Sequence, residues 1–240
     1  MSNNIATISL NSLALSLTPA LLVLLIFTRW SLNITNAMYA LTRMLSQLLL
    51  VGYALAFIFK SQNSWLILLI LCIMCIASSW IALGSVKEHR TTLYKHAFFA
   101  TFLASGLTLA LITQGVLSLN PWYAPHYMIP IAGMIFAGSM NSVSLAAERF
   151  HSELQNKTYI QARNIAFQAA MIPVINSLFA VGLVSLPGMM TGQILSGISP
   201  FIAARYQIMV MAMIFGASGL STALYLSFVK SFYSRLNYEL

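Results

Sequence analysis

The stretch SWLILLILCIMCIASSWIALGSV, residues 64–86, runs for 23 residues without a charged side chain. A helix needs about 20 mainly apolar residues to cross the hydrocarbon core of a bilayer, so this stretch alone predicts a membrane-spanning helix. Across the chain 59% of the residues are hydrophobic and 7% are charged, against about half and a quarter in soluble domains. The composition therefore predicts an all-α protein that lies mainly in lipid.

Six other apolar stretches have a similar length, and together they predict a membrane bundle of about seven transmembrane helices. No polar stretch between them is long enough to fold alone. Residues 1–240 are therefore predicted to form a single transmembrane domain, and any catalytic domain would belong to another chain. The seven predicted spans are residues 9–28, 38–59, 64–86, 96–118, 127–147, 166–187 and 202–228.

The cationic residues predict the orientation of this bundle. When the loops are counted alternately, Lys60 and Arg205 fall on one side and the other ten Lys and Arg residues fall on the opposite side. Because cytoplasmic loops carry an excess of Lys and Arg, the amino terminus is predicted to lie outside and the carboxyl terminus in the cytoplasm. The net charge of +8 then indicates contact with membrane lipid, not nucleic-acid binding. The ten residues are Arg29, Arg43, Lys87, Arg90, Lys95, Arg149, Lys157, Arg163, Lys230 and Arg235.

The motifs for enzyme activity are incomplete. Residues 192–197, GQILSG, begin like a phosphate-binding loop but lack the lysine that must follow, so no ATP site is predicted in this chain. Residues 216–219, GASG, match the pattern of an intramembrane serine protease with Ser218 as the nucleophile, but the four histidines lie near predicted membrane ends. Close helix packing on small residues is the favoured interpretation of GASG, with the protease as an alternative.

Acidic residues are scarce as well. The chain has no Asp, and its four Glu residues all fall on the predicted cytoplasmic side, so a proton relay or a carboxylate metal site inside the membrane is not predicted. The Glu residues are Glu88, Glu148, Glu153 and Glu239.

Six stretches resemble the membrane subunit of the FetB family, bacterial ABC-type permeases proposed to export iron, with plant relatives linked to aluminium tolerance. The most specific is GLVSLPGMMTGQILSGISP, residues 182–200, followed by ARYQIMVM at residues 204–211. The resemblance covers most of the chain in family order. The other stretches are RMLSQLLLVGYALAFIF (43–59), MIPIAGMI (128–135), SLAAERFHSEL (144–154) and MIPVINS (171–177).

This resemblance implies a permease subunit in the bacterial inner membrane, with no enzymatic activity and no cofactor of its own. Magnesium-ATP would be bound by a separate cytoplasmic ATP-binding subunit, and two copies of this chain would pair as a homodimer by analogy with machines that use two ATPases. Iron as the cargo comes from the resemblance alone. Thioethers favour soft Cu(I) over hard Fe(III), so the 13 methionines do not select iron, and the metal stays unknown.

The glycine- and proline-rich corner at residues 187–200 is a candidate outer gate. Pro187 is predicted to end the sixth span, and the spacing of Gly188 and Gly192 is predicted to let the backbone pack closely against neighbours. Met189 and Met190 have flexible side chains that can repack as a gate opens. An ordinary short turn between two spans is the alternative interpretation.

Side chains that would be costly against lipid are candidates for the translocation path, because they are expected to face the bundle. Arg43 and Gln47 are four residues apart and share a helix face. Asn176 and Ser177 follow Pro173, whose ring frees a backbone carbonyl. Arg43 could also extend its head group to the cytoplasm. The candidates are Arg43, Gln47, Met134, Met140, Asn141, Asn176, Ser177 and Gln207.

The cytoplasmic loop at residues 148–165 is the predicted docking site for the ATPase. Compared with the family it is about 15 residues short and lacks a Leu-Gly-Ala-Thr element, and the fifth span has Ala137-Gly138 where the family has Gly-Asn. The loop is predicted to form a small amphipathic helix with Phe150, Leu154 and Tyr159 on its apolar side. A solvated loop held by lipid headgroups is the alternative. The candidate coupling residues are Glu148, Arg149, Glu153, Lys157 and Arg163.

The shortened loop leaves a second hypothesis for the whole protein. A transport-incompetent relative could act as a regulatory or assembly subunit in the membrane.

Overall fold

Helices make up the regular structure of the computed structural model, which describes residues 8–61, 63–86 and 89–234. Outside the helices, the described residues contain one isolated bridge, between Val181 and Ser185. The chain divides into two compact units, Met1–Ser61 and Gln62–Leu240. One transmembrane domain over the whole chain therefore stays a prediction.

The first unit contains three helices, α1 (Leu10–Ser16), α2 (Thr18–Arg29) and α3 (Ile34–Ile58). A proline at the start of α2 separates it from α1, since proline cannot donate a backbone hydrogen bond inside a helix. Asn33 caps α3 by accepting a hydrogen bond of 3.0 Å from the backbone N–H of Thr35. None of these helices contains a buried residue.

The helices of the second unit are α4 (Ser64–Ala82), α5 (Arg90–Ala110), α6 (Pro125–Glu153), α7 (Tyr159–Ala180), α8 (Gly188–Leu195), α9 (Pro200–Phe228) and α10 (Lys230–Ser234). A π-helical turn, Leu111–Val116, continues α5. The unit is built around the two long helices α6 and α9, which pack against each other. Helix α4 packs on α5 and α6, whereas α7 packs on α6 and α9, and the short α8 packs on α9.

Small residues form the packing faces of these helices. Ala162, Ala166 and Ala170 follow one another at intervals of four on α7, and all three are fully buried. Ala97 and Ala100 on α5 are fully buried as well. Small side chains let helix backbones approach closely, which is how helices associate in lipid, where hydrophobic burial drives them together only weakly.

Aromatic side chains join four chain segments at one end of the second unit. The ring of Phe150 on α6 lies 5.7 Å from that of Tyr159 on α7 and 5.3 Å from that of Tyr233 on α10. The ring of His89, just before α5, lies 5.9 Å from that of His151. The end of α6, the start of α7, the end of α9 with α10 and the start of α5 therefore meet at this end.

The hydroxyl of Tyr159 donates a hydrogen bond of 2.7 Å to the carbonyl of Leu226, linking α7 to α9. Tyr159→Phe should lower the free energy of unfolding by about 1 kcal/mol, because a buried carbonyl loses its donor. Denaturant unfolding in detergent measures this loss. Tyr53→Phe is the control, because the Tyr53 side chain is 87% exposed; an equal loss in both variants would contradict the assignment.

The membrane bundle is confirmed. Six helical stretches in the described residues are long and apolar enough to cross a membrane, whereas the prediction was about seven. The remaining predicted span, 166–187, falls on α7, whose first half carries Arg163, Asn164 and Gln168. Helix α7 ends at Ala180, because Val181 is extended and Gly182 has a φ of +83°. The side of the membrane on which each terminus lies stays a prediction.

Candidate functional site

Buried hydroxyl groups line the contact between α5, α6 and α9. The hydroxyls of Ser105 and Ser139 are hydrogen-bonded at 2.9 Å, and Ser139 also lies within donating distance, 3.2 Å, of the Ala217 carbonyl. Thr101 on α5 and Thr222 on α9 are fully buried, and their hydroxyls have no hydrogen-bond partner among the described residues. We call these hydroxyls, together with Ser218, the polar seam.

The polar seam passes a point where α6 and α9 come very close. A Cβ atom placed on Gly138 would lie 3.0 Å from the hydroxyl oxygen of Ser218 and 3.2 Å from a methyl carbon of Ile214. Both distances are tighter than most packing contacts, so a larger residue at this position would require the side chains of Ser218 and Ile214 to move. Gly138 is thus a packing residue, at the position where the family pattern has asparagine.

Ser218 does not have the surroundings of a protease nucleophile. Its side chain is fully buried, and its hydroxyl has no hydrogen-bond partner in the described part of the chain, so no described histidine activates it. A serine nucleophile needs a base within hydrogen-bond distance. Ala217 and Ser218 are fully buried, but a Cβ on Gly216 would meet nothing within 4 Å and one on Gly219 would make only an ordinary contact. Close helix packing through the glycines of GASG stays a prediction.

The corner was predicted at residues 187–200, whereas the structure has it at residues 181–199, between the end of α7 and the start of α9. Pro187 does not end a span but precedes α8 as its N-cap, and Gly188 and Gly192 make no close contact, since a Cβ on either would meet nothing within 4 Å. The chain reverses instead at Gly182 and Gly197, whose φ values are +83° and +87°. Glycine adopts this left-handed backbone conformation without the steric cost that other residues have.

Two cavities lie on either side of the corner. Met189 lines a cavity of about 210 Å³ together with Met134 and His126. Met190 lines a second cavity of about 550 Å³ together with Gln207 and Met211. The two adjacent methionines of α8 therefore face different cavities, and movement of α8 would change both.

Gln207 is the buried member of the predicted path residues. It is 5% exposed, and its side-chain oxygen has no hydrogen-bond partner among the described residues although it borders the larger corner cavity. A buried polar atom without a partner costs about 1–3 kcal/mol. Such an atom calls for an explanation, and a role in the path predicted from the sequence is one candidate.

The other predicted path residues are distributed differently. Met134 and Met140 are partly buried on α6, but Asn141 is exposed and its neighbour Ser142 is buried instead. Asn176 and Ser177 are exposed on α7, where Ser177 donates to the Val174 carbonyl. Arg43 and Gln47 are exposed on α3 in the first unit. A role in transport for any of these residues stays a prediction.

The polar seam was not predicted, although its spacing is visible in the sequence. Thr101, Ser105 and Thr108 recur at intervals of four and three on α5, and all are buried. On α9, Ser221 and Thr222 lie three and four residues after Ser218, and all three are buried. Ser and Thr also satisfy their own hydroxyls on the preceding turn of a helix, so this spacing alone does not separate a polar path from ordinary packing.

The predicted coupling loop is a short connection instead of a separate helix. Helix α6 continues to Glu153 and α7 starts at Tyr159, where Thr158 and Gln161 form a capping box. The predicted apolar side is confirmed, because Phe150, Leu154 and Tyr159 are all buried. Two ends of long helices therefore form the surface that the sequence predicts as a docking site, and docking itself stays a prediction.

The charged side of this connection is organised around one carboxylate. Glu153 accepts a salt bridge of 2.7 Å from Arg149 and a second one from Lys157. Arg163, one turn into α7, donates to the side-chain oxygen of Asn164 at 2.9 Å. Glu148 is exposed on the last turns of α6. The coupling candidates thus lie around one joint between α6 and α7.

Cationic residues collect at this same end of the second unit, which we call the basic end. Lys230 lies 5.6 Å from the ring of Tyr159, and Arg90 donates to the carbonyl of Trp80. Arg205 lies near the start of α9, at the corner. The described cations of the basic end are Arg90, Lys95, Arg149, Lys157, Arg163 and Lys230, whereas Lys87, Arg235, Glu88 and Glu239 lie outside the described residues.

Comparison with known proteins places the chain in a family of membrane proteins. The model of an uncharacterised protein family, UPF0014, matches residues 10–163 and 156–233. The chain is 36% identical to the UPF0014 membrane protein slr1647 of Synechocystis, with 80% of each chain covered. It is 30% identical to ALUMINUM SENSITIVE 3 of Arabidopsis thaliana, over 87% of this chain and 81% of that protein. No solved structure matches it.

The relative named probable iron export permease protein FetB, from Escherichia coli, is 36% identical over 97% of this chain and 95% of its own length. That alignment covers 255 positions, more than the 240 residues of this chain, so it contains gaps in this chain. The two stretches matched by the family model overlap at residues 156–163. This overlap lies within the loop that is short compared with the family. The chain therefore belongs to the UPF0014 family of integral membrane proteins, as its resemblance to FetB implied.

Proposed function

We propose that this chain is the permease subunit of an ABC-type transporter that exports a metal ion, with iron as the cargo. The observation that carries the proposal is the polar seam. Thr101 on α5 and Ser218 and Thr222 on α9 are buried, and their hydroxyls have no partner among the described residues. Polar groups inside a membrane bundle are costly, so a set of them without partners is a candidate substrate path.

The seam suits a cation that must be released again. Hydroxyl and amide oxygens are uncharged ligands for a cation. They can therefore replace part of its water shell without holding the ion as tightly as carboxylates would. Gln207 adds an amide oxygen ligand at the corner, where it lines the larger cavity. In this proposal α8, with Met189 and Met190, is the outer gate. The name of FetB supports iron, and the residues of the seam do not distinguish it from other metals.

The basic end is the proposed docking site for a separate cytoplasmic ATP-binding subunit, which would hold magnesium-ATP. The joint between α6 and α7 connects directly to α6, which packs on α9 and carries part of the seam, so a push on Glu153 or Lys157 would move α6 against α9. ATP binding drives such a change only if it differs in affinity between the two conformations. Two copies of this chain would pair, matching two ATPases, in the bacterial inner membrane.

Purification of this chain with its ATP-binding subunit tests the proposal. We expect the two proteins to co-purify, the hydrolysis rate of the ATPase to rise on addition of this chain, and iron to leave iron-loaded cells that express both. An ATPase that is competent for hydrolysis with another permease and still fails to bind this chain would contradict it.

The shortened connection supports a second candidate, a transport-incompetent subunit with a regulatory or assembly role. Five residues, 154–158, join α6 to α7. The overlap of the two family matches, residues 156–163, begins in this connection. Binding of the ATPase without stimulation of hydrolysis or efflux would favour this candidate over the first.

Glu153→Gln should weaken binding of the ATPase about two- to fivefold, because Arg149 and Lys157 lose the carboxylate that positions them and exposed ion pairs contribute up to about 1 kcal/mol. Titration of the labelled ATPase onto the reconstituted permease measures the change. Gln155→Lys is the matched control, since it alters the net charge of the same surface by the same amount and keeps both ion pairs. An equal effect of both variants would show that net charge alone matters.

A further inference from the structure

A large cavity opens at the basic end between α5 and the junction of α9 with α10. Its volume is about 790 Å³, and its walls include Lys95, Phe99 and Leu103 from α5 and Phe228 and Lys230 from the junction. A neighbouring cavity of about 460 Å³ shares Lys95 and Ser231 with it. Both cavities lie at the basic end, but the joint between α6 and α7, through which the proposed coupling acts, lines neither of them.

The mouth of this cavity is cationic. Among the residues that the structure describes, no acidic side chain lines either cavity. The salt bridges seen in the described parts of the chain involve Glu153 with Arg149 and Lys157, so no described carboxylate neutralises Lys95 or Lys230. The hydroxyls of Thr91, Thr92 and Ser231 also border this region. The Ser231 hydroxyl donates to the Phe228 carbonyl at 3.2 Å, so the mouth offers an anion two ammonium groups and the hydroxyls of Thr91 and Thr92.

The rest of the cavity is apolar and elongated. Lys95, Phe99 and Leu103 follow at intervals of four on α5, which places them on one face of the helix. At 1.5 Å per residue, Leu103 lies about 12 Å further along the helix axis than Lys95. Phe99 and Leu103 are 54% and 41% exposed. The cavity therefore has a charged head and an apolar wall that runs into the span.

We propose that this cavity binds one anionic phospholipid of the leaflet at the basic end. Lys95 and Lys230 would contact the phosphate, the hydroxyls would donate to the headgroup, and an acyl chain would lie along Phe99, Leu103 and Phe228. A free phosphate ion would use the head alone and leave the apolar wall without a ligand. Basic pockets between membrane helices recognise lipid headgroups in this way.

The site adjoins the coupling surface. The ammonium group of Lys230 lies 5.6 Å from the ring centre of Tyr159, whose hydroxyl binds the carbonyl of Leu226. A bound lipid would therefore hold the end of α9 beside the start of α7. This binding does not depend on the identity of the cargo or of the ATPase.

Native mass spectrometry of the full chain in detergent, titrated with phosphatidylglycerol or with phosphatidylcholine of the same acyl chains, tests the proposal. We expect one phosphatidylglycerol to bind at least tenfold more tightly than phosphatidylcholine. Lys95→Gln and Lys230→Gln should each weaken phosphatidylglycerol binding about fivefold, the effect of about 1 kcal/mol per lysine near an anionic lipid, and leave phosphatidylcholine unchanged. Both lysines are exposed, so unaltered unfolding temperatures confirm that the variants fold.

Lys157→Gln is the control, because Lys157 is a cation of the basic end that is paired with Glu153 and does not line the cavity. Binding of phosphatidylglycerol to this variant should change less than twofold. Glycerol phosphate, a headgroup without acyl chains, and inorganic phosphate should fail to displace the lipid. Displacement by either would identify the site as one for a free anion and overturn the proposal. Equal binding of the two lipids, or lysine variants that behave like Lys157→Gln, would overturn it as well.

Discussion

Gln207→Met should stabilise the protein and at the same time reduce iron efflux at least tenfold. Methionine has nearly the volume and shape of glutamine, so the packing of α9 is kept. The buried side-chain oxygen that has no partner among the described residues disappears, which should raise the free energy of unfolding by about 1–2 kcal/mol. If the cargo passes Gln207, the oxygen that replaces part of its water shell disappears too.

Opposite changes in stability and transport are what distinguish a path residue from a structural one. The midpoint of thermal unfolding in detergent gives the first quantity, and efflux from iron-loaded cells that express the chain with its ATPase gives the second. Gln168→Met, at an exposed position of α7 outside the proposed path and docking surface, should change neither. A Gln207→Met protein that is more stable and exports iron at the normal rate would remove Gln207 from the path.

The helices could be predicted from the sequence because length and apolar composition decide them. An apolar run such as residues 64–86 has no alternative to a helix in lipid, because every backbone group must be hydrogen-bonded within its own helix there. Which face of each helix is buried could not be predicted in the same way. In water the buried face is the apolar one, but in a membrane the face toward lipid is apolar as well. Asn141 was therefore expected to face the bundle and is exposed, whereas Ser142 is buried.

Small residues carry the information that the apolar pattern lacks. The buried alanines of α7 and the threonine and serine repeat of α5 mark the packing faces, and Gln207 lies on the face of α9 that also carries buried Ala203 and Val210. At the corner, the residue types correctly indicated that the chain changes direction, but the change was assigned to the wrong residues. Glycine and proline did predict a change of direction, but the reversals fall on Gly182 and Gly197, because a left-handed backbone is required there and not at Gly188 or Gly192.

The connection after α6 shows the same division between pattern and geometry. The alternation of Phe150, Leu154 and Tyr159 with charged residues correctly predicts a buried side and an exposed side. It was interpreted as a separate helix, but the five residues between Glu153 and Tyr159 leave no room for one. The periodicity belongs to the end of one long helix and the start of the next.

Gly138→Val should lower the free energy of unfolding by about 2–3 kcal/mol. The new Cβ would lie 3.0 Å from the Ser218 hydroxyl and 3.2 Å from Ile214, so α6 and α9 would have to separate or their side chains leave favoured rotamers, and overpacking of this kind costs about 1–3 kcal/mol. Because α6 and α9 are the central pair of the second unit, the strain cannot be absorbed by a peripheral helix. Hydroxyls of the polar seam, including the pair Ser105 and Ser139, would be displaced with them.

Unfolding of the purified protein in detergent, followed by loss of helical signal, measures this effect. Gly216→Val is the matched control, since Gly216 lies on α9 two residues before Ser218 and a Cβ there would meet nothing within 4 Å. Both variants add the same side chain to a helix of the same pair, so helix propensity changes alike and the difference between them isolates the close approach. If the two variants lose the same stability, α6 and α9 do not pack closely at Gly138.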